Sequence, residues 1–346
     1  MPRSLVRVAL VVGAMVATLG LSACGGDTQA SGAAPAEVRL GYFPNLTHAT
    51  AIVADKEGFF GKHLGGTKLK VSTFNAGPAA MEALKSGAID ATYVGPGPAT
   101  NAFINSGGRA LTVVAGAATG GSSLVVDPSI TSAADLRGRK VSSPQLGNTQ
   151  DIALRYWLKQ HGLRTDLQGG GDVNVLPQEN SQVVDSFRQK LIAGAWVPEP
   201  YATRLVQAGG KVLVDERDLW PGKKFATTVL AVRTDFLTAH PETVRALLAG
   251  DLDATEFIAR DPAKAQKDVA DLIATISGKP LKPAVIEAAW KRLEFTVDPV
   301  PSSLLAGAQH AFEVGILKTD PQLDQLVDLS LLNQLLRERG KAEIRS

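Results

Sequence analysis

Residues 84–97 read LKSGAIDATYVGPG, and residues 187–200 read FRQKLIAGAWVPEP. Each stretch follows one plan: a helix end, a tight turn, a short apolar strand and a loop that contains proline. Open α/β sheets bind their ligands at the carboxyl ends of strands. This brief repeat therefore predicts two lobes, each of which presents a ligand loop at the end of a strand.

Around these stretches, short apolar and β-branched runs alternate with helical patterns, which is typical of α/β units around largely parallel sheets. The predicted strands are Val38–Tyr42, Lys68–Phe74, Ala91–Val94, Leu111–Ala115, Ser123–Val126, Lys140–Ser142, Val173–Leu176, Ala195–Val197, Lys211–Val214 and Thr227–Val232. From Asp235 onward apolar residues recur at the helical period. The helices predicted there are Pro241–Ala249, Ala254–Ile258, Pro262–Ser277, Ala284–Leu293, Ser303–Val314 and Gln322–Arg337.

The N-terminus has the pattern of a secretory signal. Arg3 and Arg7 accompany an apolar stretch over residues 5–19, and Leu21-Ser22-Ala23-Cys24 follows it. The last four residues resemble the lipobox of bacterial lipoproteins, in which the cysteine is acylated and becomes the first mature residue. An ordinary cleaved signal with a coincidental cysteine, or a single membrane helix, is the alternative. The apolar run is, however, shorter than the ~20 residues that span a membrane.

We therefore predict a signal peptide over residues 1–23, a lipid anchor at Cys24 and a flexible tether over residues 24–36. Removing the signal peptide takes away two arginines and cancels the formal net charge of +2. A neutral mature chain gives no electrostatic reason to expect nucleic acid as a partner. Cys24 is the only cysteine, and the histidines form no pair with metal-ligand spacing, so we expect no metal site and no cofactor.

Four loops have the composition of helix N-termini that face a cleft: residues 75–80, 95–100, 120–123 and 143–151. Free N–H groups at such ends form anion sites, helped by about half a positive charge from the helix dipole. The plain alternative is that Gly and Pro only punctuate turns. The candidate ligand contacts in these loops are Gly77, Gly97, Gly121, Ser122, Gly147, Asn148 and Thr149.

Four further side chains are candidates outside those contacts. Trp196, at a predicted strand end, is the candidate wall for an apolar part of the ligand, with a place in the core as the alternative. Glu199 stands between two prolines, where it could meet a ligand amine, orient donors or fix the hinge, or be purely structural. Asn45 and His48, in the first strand-to-helix loop, could donate to the same anion. For His48 a packing role at the helix start is equally open.

Five segments, in order along the chain, resemble the substrate-binding proteins of nitrate/sulfonate/taurine-type ABC importers, with the nearest similarity to aliphatic-sulfonate-binding proteins. The segments are residues 41–49, 94–99, 144–158, 194–200 and 214–221. The resemblance implies a type II periplasmic-binding-protein fold: two α/β lobes joined by two crossover strands, with the helical C-terminal segment packed on lobe 1. One departure is visible, because the turn before Trp196 commonly carries Ile-Asp-Gly and here reads Ile192-Ala193-Gly194.

On this basis residues 37–125 and 229–346 are expected to form lobe 1, and residues 126–228 lobe 2. The resemblance implies a lipid-anchored monomer on the extracytoplasmic face of the cell membrane. Its expected partners are a small anionic ligand, for which we predict an aliphatic sulfonate, and an ABC permease with its ATPase. Taurine, nitrate and a heterocyclic nutrient such as a pyrimidine precursor remain open as ligands.

Two other classes of function use this fold, namely a sensor lipoprotein and an enzyme. Against an enzyme, the sequence has no Gly-x-Ser-x-Gly elbow and no paired histidine or carboxylate set. Its only thiol is the predicted lipid anchor, so no cysteine nucleophile is left. We therefore predict a binding protein without catalytic residues.

Overall fold

Two mixed β-sheets organise the computed structural model, which describes residues 34–345. The first sheet has the strand order β11-β4-β10-β3-β1-β2. Its strands are β1 (Glu37–Tyr42), β2 (Lys68–Thr73), β3 (Ala91–Val94), β4 (Leu111–Gly120), β10 (Ala226–Arg233) and β11 (Leu293–Phe295). The second sheet has the order β7-β6-β8-β5-β9. Its strands are β5 (Ser122–Val126), β6 (Lys140–Ser143), β7 (Asn174–Pro177), β8 (Gly194–Pro198) and β9 (Lys211–Asp215).

The chain passes between the sheets at two places. It leaves the first sheet at the end of β4 and enters the second at Ser122, turning at Gly121 with a φ of +65°. It returns through residues 216–225 into β10. Each sheet with its helices is called a lobe below, and the predicted α/β fold of two lobes joined by two crossovers is confirmed.

The prediction of largely parallel sheets is wrong. The strands β1, β2 and β3 pair in parallel, as do β6, β7 and β8. In contrast, β10 runs antiparallel to β3 and β4, and β5 runs antiparallel to β8 and β9. The reason is the crossovers, since a strand that arrives from the other sheet does not need the helical connection that keeps successive strands parallel.

Helices cover the faces of both sheets. They are α1 (Ala49–Lys56), α2 (Phe59–Leu64), α3 (Gly77–Lys85), α4 (Pro96–Asn105), α5 (Thr149–Gln160), α6 (Asn180–Arg188), α7 (Tyr201–Gln207), α8 (Thr234–Ala239), α9 (Pro241–Arg260), α10 (Pro262–Ser277), α11 (Pro283–Trp290), α12 (Pro301–Glu313) and α13 (Ser330–Glu338). Proline is the first residue of α9, α10, α11 and α12, where its missing N–H costs nothing and its fixed φ suits the helix.

The C-terminal third departs from prediction at three points. The two helices predicted over residues 241–258 are one helix, α9, and Gly250 inside it does not end it. A Cβ on Gly250 would lie 2.7 Å from the Phe60 ring, so glycine lets α9 approach α2 closely. The end of a predicted helix, at Leu293, begins strand β11 instead. Finally, α13 begins at Ser330 rather than at Gln322, because the backbone of Leu326 and Asp328 bonds with Val113 in β4.

The start of the described chain is held by the body. Thr67 Oγ1 donates to the carbonyl of Pro35 at 2.9 Å, and the N–H of Lys68 donates to the carbonyl of Ala36 at 3.0 Å. Pro35 and Ala36 were predicted as the end of the tether. Cys24, the predicted signal peptide and the rest of the tether lie outside the described residues. Among residues 34–345, no helix is both long and apolar enough to cross a membrane.

Candidate ligand-binding cleft

The N-termini of α4 and α5 meet where the two lobes touch. The N–H of Gly97 donates to Oγ1 of Thr149 at 3.1 Å. A Cβ on Gly97 would lie 3.0 Å from the Thr149 Cα and 2.8 Å from Cδ1 of Ile152, so only glycine permits this approach. The structure therefore brings together two of the predicted contacts, one from each lobe.

The first turn of α4 offers fewer donors than its sequence suggests. Pro96 and Pro98 have no N–H, and the N–H of Ala99 already reaches the carbonyl of Gly95 at 3.3 Å. Gly97 thus carries the N–H of this turn that has no backbone partner, and the Thr149 hydroxyl accepts from it. An anion at this helix end must share or replace that one hydroxyl.

A buried carboxylate builds the loop that precedes α5. Asp151 accepts hydrogen bonds from Ser143 Oγ at 2.6 Å, from the Gly147 N–H at 2.9 Å and from Arg155 Nε at 3.1 Å. The predicted contact Gly147 adopts a φ of +76°, which glycine tolerates. Asp151 and Arg155 are not in the predicted contact set, although a carboxylate and a guanidinium one helical turn apart are a visible signal in the sequence.

Asn148 acts as the cap of α5. Its Oδ1 accepts the N–H of Thr149 at 2.9 Å, and only about 7% of the residue is exposed. The N–H groups of Asp151 and Ile152 return to the carbonyl of Asn148. The predicted ligand contact Asn148 thus serves as a helix cap, and the Thr149 hydroxyl is the group of this turn that reaches the other lobe.

Beside the Gly97–Thr149 contact lies a small cavity, here called the Trp220 pocket, which encloses about 30 Å³. Trp220 and Phe225 form its aromatic wall, with ring centroids 5.5 Å apart and planes inclined by 13°. The other lining residues are Pro96, Gly97, Thr100, Thr149, Ile152, Ala153, Glu216, Ala226, Ser303, Leu304, Gly307 and His310. This volume is far below that of an organic ligand, so binding requires the lobes to move apart first.

Two ionisable side chains line the Trp220 pocket. Burial lowers the pKa of His310, whose ring stacks on Tyr156 with centroids 3.6 Å apart. Burial raises the pKa of Glu216, which accepts a hydrogen bond from Trp196 Nε1 at 2.7 Å. Neither residue is in the predicted contact set. The lining of the pocket combines aromatic and aliphatic side chains with a few polar groups, as ligand sites commonly do.

A second small cavity, the Tyr201 pocket, lies at another part of the lobe interface and also encloses about 30 Å³. It is lined by Phe43, Pro44, Asn45, Phe74, Asn75, Glu179, Asn180, Ser181 and Tyr201. Asn75 Nδ2 donates across the interface to Glu179 Oε1 at 3.3 Å. Oδ1 of Asn180 is buried without a hydrogen-bond partner in the described part of the chain.

Asn45 and His48 have local partners. Oδ1 of Asn45 accepts the N–H of Thr47 at 3.2 Å, which caps the turn before α1. The His48 ring stacks on Phe43 with centroids 4.3 Å apart, and its Nδ1 accepts the Phe43 N–H at 3.3 Å. Burial lowers the pKa of His48 to about 3, so the ring is neutral. These contacts favour the packing role for His48 over that of a charged anion ligand.

Trp196 lies in the core of the second lobe and is fully buried. Its ring meets Trp157 edge to face with centroids 6.3 Å apart, and its Nε1 donates to Glu216 and to Oγ of Ser122 at 3.2 Å. Of the two alternatives for Trp196, the structure favours the core. Trp220 and Phe225, rather than Trp196, supply the aromatic wall at the lobe interface.

Glu199 fixes the first crossover. Its carboxylate accepts the N–H and the hydroxyl of Thr203 at 3.0 Å each, and Arg292 of the first lobe lies 3.5 Å away. Burial raises the pKa of Glu199. The backbone N–H of Glu199 donates to the carbonyl of Gly121 at 2.8 Å. Gly121, Ser122 and Glu199 are thus gathered at the first crossover, and neither they nor Trp196 line the Trp220 pocket.

Gly77, the remaining predicted contact, packs within the first lobe. A Cβ on Gly77 would lie 2.3 Å from Cγ of Pro98, so glycine here allows α3 to approach α4. Within residues 34–345, no group of three or more His, Cys, Asp or Glu side chains is placed to hold a metal ion.

The sequence matches the NMT1-like family over residues 31–274, so the chain belongs to that family. A Brucella abortus protein with a provisional binding-protein name is 30% identical over 229 residues, which cover 65% of this chain and 68% of that protein. The taurine-binding periplasmic protein of Escherichia coli is 27% identical over 232 residues, covering 66% of this chain and 70% of that protein.

Solved structures share the fold. The alkanesulfonate-binding protein from Xanthomonas axonopodis pv. citri bound to MOPS has a TM-score of 0.71 and 21% identity, covering 86% of this chain and 99% of that chain. The periplasmic nitrate-binding protein from Synechocystis PCC 6803 has a TM-score of 0.74 and 18% identity, covering 88% of this chain and 89% of that chain.

The predicted resemblance to the substrate-binding proteins of nitrate/sulfonate/taurine-type ABC importers is confirmed. The proteins named here are binding proteins rather than enzymes, in agreement with the predicted class.

Proposed function

We propose that the protein is the extracytoplasmic solute receptor of an ABC importer, which closes its two lobes on a small organic anion and presents the closed form to a permease and its ATPase. An aliphatic sulfonate is the proposed ligand. Acylation of Cys24 would hold the receptor at the membrane, and we expect it to act as a monomer. The proposed lobe limits follow the sheets, so the second lobe begins at Ser122 rather than at the expected residue 126, and the first lobe resumes at Ala226 rather than at residue 229.

The observation that carries the proposal is the Gly97–Thr149 contact beside an aromatic wall. A sulfonate has several acceptor oxygens and an apolar tail. The Gly97 N–H and the Thr149 hydroxyl are donors from opposite lobes, and hydrogen bonds to a charged group are worth about 1.5–3 kcal/mol each. Trp220 and Phe225 offer apolar contact for the tail. The names of the taurine-, alkanesulfonate- and nitrate-binding proteins support the anion class.

Closure follows from the same contact. In the described structure the Thr149 hydroxyl satisfies the Gly97 N–H directly. An anion that accepts from both groups would bridge the lobes and favour a closed state over an open one. A ligand can only drive closure by such a difference in affinity.

Taurine is the second candidate, because Glu216 places a carboxyl group on the Trp220 pocket. A ligand amine could pair with it. Glu199 is less suited to that role, since it lines neither the Trp220 pocket nor the Tyr201 pocket. Nitrate has no tail for the aromatic wall and is the weaker match.

Thermal unfolding with a ligand panel tests the proposal. Residues 34–346 form a compact unit of their own, so the chain from Gly25 onward can be used. A ligand at about 100 times its Kd should stabilise the fold by ~2.7 kcal/mol. We expect alkanesulfonates to raise the Tm of the wild type, and to raise it less in the Thr149→Val variant. No shift with sulfonates, taurine, nitrate or sulfate would overturn the anion class.

A further inference from the structure

The Tyr201 pocket adjoins a larger cavity of about 480 Å³ at the edge of the cleft, here called the mouth. The two cavities share Pro44, Asn75, Glu179, Ser181 and Tyr201. On the second-lobe side the mouth is bounded by α6 and α7. On the first-lobe side it is bounded by the end of α10 and the start of α11. It is therefore an opening from solvent to the lobe interface.

Positive charge dominates the mouth. Arg188 and Arg204 line it from the second lobe, and Lys279 and Lys282 line it from the first. Among the described residues that line the mouth, Glu179 is the one carboxylate. Both sides of the opening thus carry positive charge, and the four cations outnumber the single carboxylate among these lining residues.

Three of these cations have no ionic partner. Within residues 34–345, no carboxylate oxygen lies within 4.0 Å of the charged groups of Arg204, Lys279 or Lys282. Arg204 lies over the Tyr201 ring, 5.4 Å from its centroid. Arg188 has an exposed partner, Asp185, at 3.6 Å. Unpaired cations around a concave opening raise the local concentration of anions.

Glu179 stands at the inner end of the mouth. One carboxylate oxygen accepts from Asn75 across the lobe interface at 3.3 Å, and the other lies 3.5 Å from the Ser181 hydroxyl. Asn75 and Glu179 line both the mouth and the Tyr201 pocket, so this bond lies where the two cavities adjoin. An anion that passes inward must part Asn75 from Glu179, and it meets the negative charge of Glu179 as it does so.

We propose that the mouth is the access route of the anionic ligand, and that Arg204, Lys279 and Lys282 accelerate its capture while Glu179 slows it. The inference rests on the proposed function, since it requires an anionic ligand. Charges near a cleft act over about 10 Å at 0.1 M salt. They therefore change the association rate and leave the dissociation rate of the closed complex largely unaffected.

Stopped-flow tryptophan fluorescence with butane-1-sulfonate, with affinities from calorimetry, tests the inference. The variants are Lys279→Gln/Lys282→Gln and Glu179→Gln, whose amide oxygen can still accept from Asn75. The matched control is Lys68→Gln/Lys70→Gln, which removes the same charge from the exposed edge strand β2, outside the mouth. All four lysines are exposed.

At about 0.02 M salt we expect the double lysine variant to associate about threefold more slowly than wild type, and Glu179→Gln to associate about twofold faster. The control should match wild type. All four rates should converge near 0.5 M salt, where the charges are screened. The Kd should change by the same factor as the association rate.

Two outcomes overturn the inference, and only one of them also overturns the proposed function. If wild type binds butane-1-sulfonate but the mouth variants associate at the wild-type rate, or no differently from the control, the access route is wrong and the proposed function stands. If calorimetry shows no binding of butane-1-sulfonate by wild type, the sulfonate proposal and the inference are both overturned.

Discussion

A hydrogen bond of 3.1 Å from the N–H of Gly97 to the hydroxyl of Thr149 links the two lobes. The bond lies between two helix N-termini, whose dipoles both point their positive ends at it. The proline residues on either side of Gly97 leave this N–H as the free donor of its turn. Ligand binding and lobe closure thus depend on the same pair of residues.

Gly97→Ala should separate ligand affinity from stability. The added Cβ would lie 3.0 Å from the Thr149 Cα and hold the helix ends apart, so we expect sulfonate affinity to fall about tenfold or more. The free energy of unfolding should fall much less, because alanine favours a helix by up to about 1 kcal/mol over glycine. Calorimetry and chemical denaturation measure the two effects. Gly61→Ala, a helical glycine with open space around it, is the control and should leave affinity unchanged.

Trp220→Ala should weaken binding of long-chain sulfonates more than that of short ones, because the aromatic wall contacts only the tail. Each methylene that loses burial costs about 0.8 kcal/mol. The measurement is the Kd across a chain-length series. Equal losses at every length would contradict a role of Trp220 in holding the tail. Trp196→Ala serves as the contrast, and removing this buried core residue should cost about 3–5 kcal/mol of folding free energy.

Asp251 should make the fold less stable as the pH rises. It is buried, its Oδ1 accepts from the Tyr93 hydroxyl at 2.6 Å, and burial raises its pKa to about 7. The unfolded carboxyl has a pKa near ~3.9. Between these values the folded state holds a proton that the unfolded state has lost, so stability declines from about pH 4 to about pH 7. In Asp251→Asn this part of the decline should vanish from denaturation curves, and an unchanged pH dependence would contradict the assignment.

His48 should act in the opposite direction. Burial lowers its pKa to about 3, whereas an unfolded histidine titrates near ~6.5. Between these two pKa values the unfolded state binds a proton that the folded state does not bind. The free energy of unfolding therefore falls as the pH drops from about 6.5 to about 3. His48→Gln should flatten the acid side of the stability curve between about pH 6.5 and about pH 3. Asp251→Asn, measured alongside, should keep the loss of stability caused by His48 and remove only the decline caused by Asp251 between about pH 4 and about pH 7.

Local sequence patterns were enough to predict the two repeated strands, the loops that follow them and the C-terminal helices that begin with proline. A helix end was predicted just before Gly250, but α9 continues through it, because this glycine allows close approach to the distant Phe60. Residues 322–329 follow a helical pattern, yet their backbone bonds with Val113 of β4. In each case a partner far away in the sequence decides the local structure.

The candidate site was predictable only in part for a similar reason. Gly97 and Thr149 could be placed at helix N-termini from composition, but which two helices face each other depends on the crossovers. Trp196 and Trp220 both lie near proline in the sequence. Only tertiary structure tells that the indole of Trp196 has buried partners, whereas Trp220 lies at the lobe interface.

Strand β10 occupies the middle of the first sheet, between β3 and β4, although it follows the whole second lobe in the chain. Until residue 233 has been synthesised, β4 has no neighbour on that side, and the parallel strands β1, β2 and β3 end in an open edge. The second sheet, in contrast, is built from one continuous stretch. The lobe that comes first in the sequence is therefore the last to be completed, and an interrupted chain leaves its central hydrogen bonds unmade.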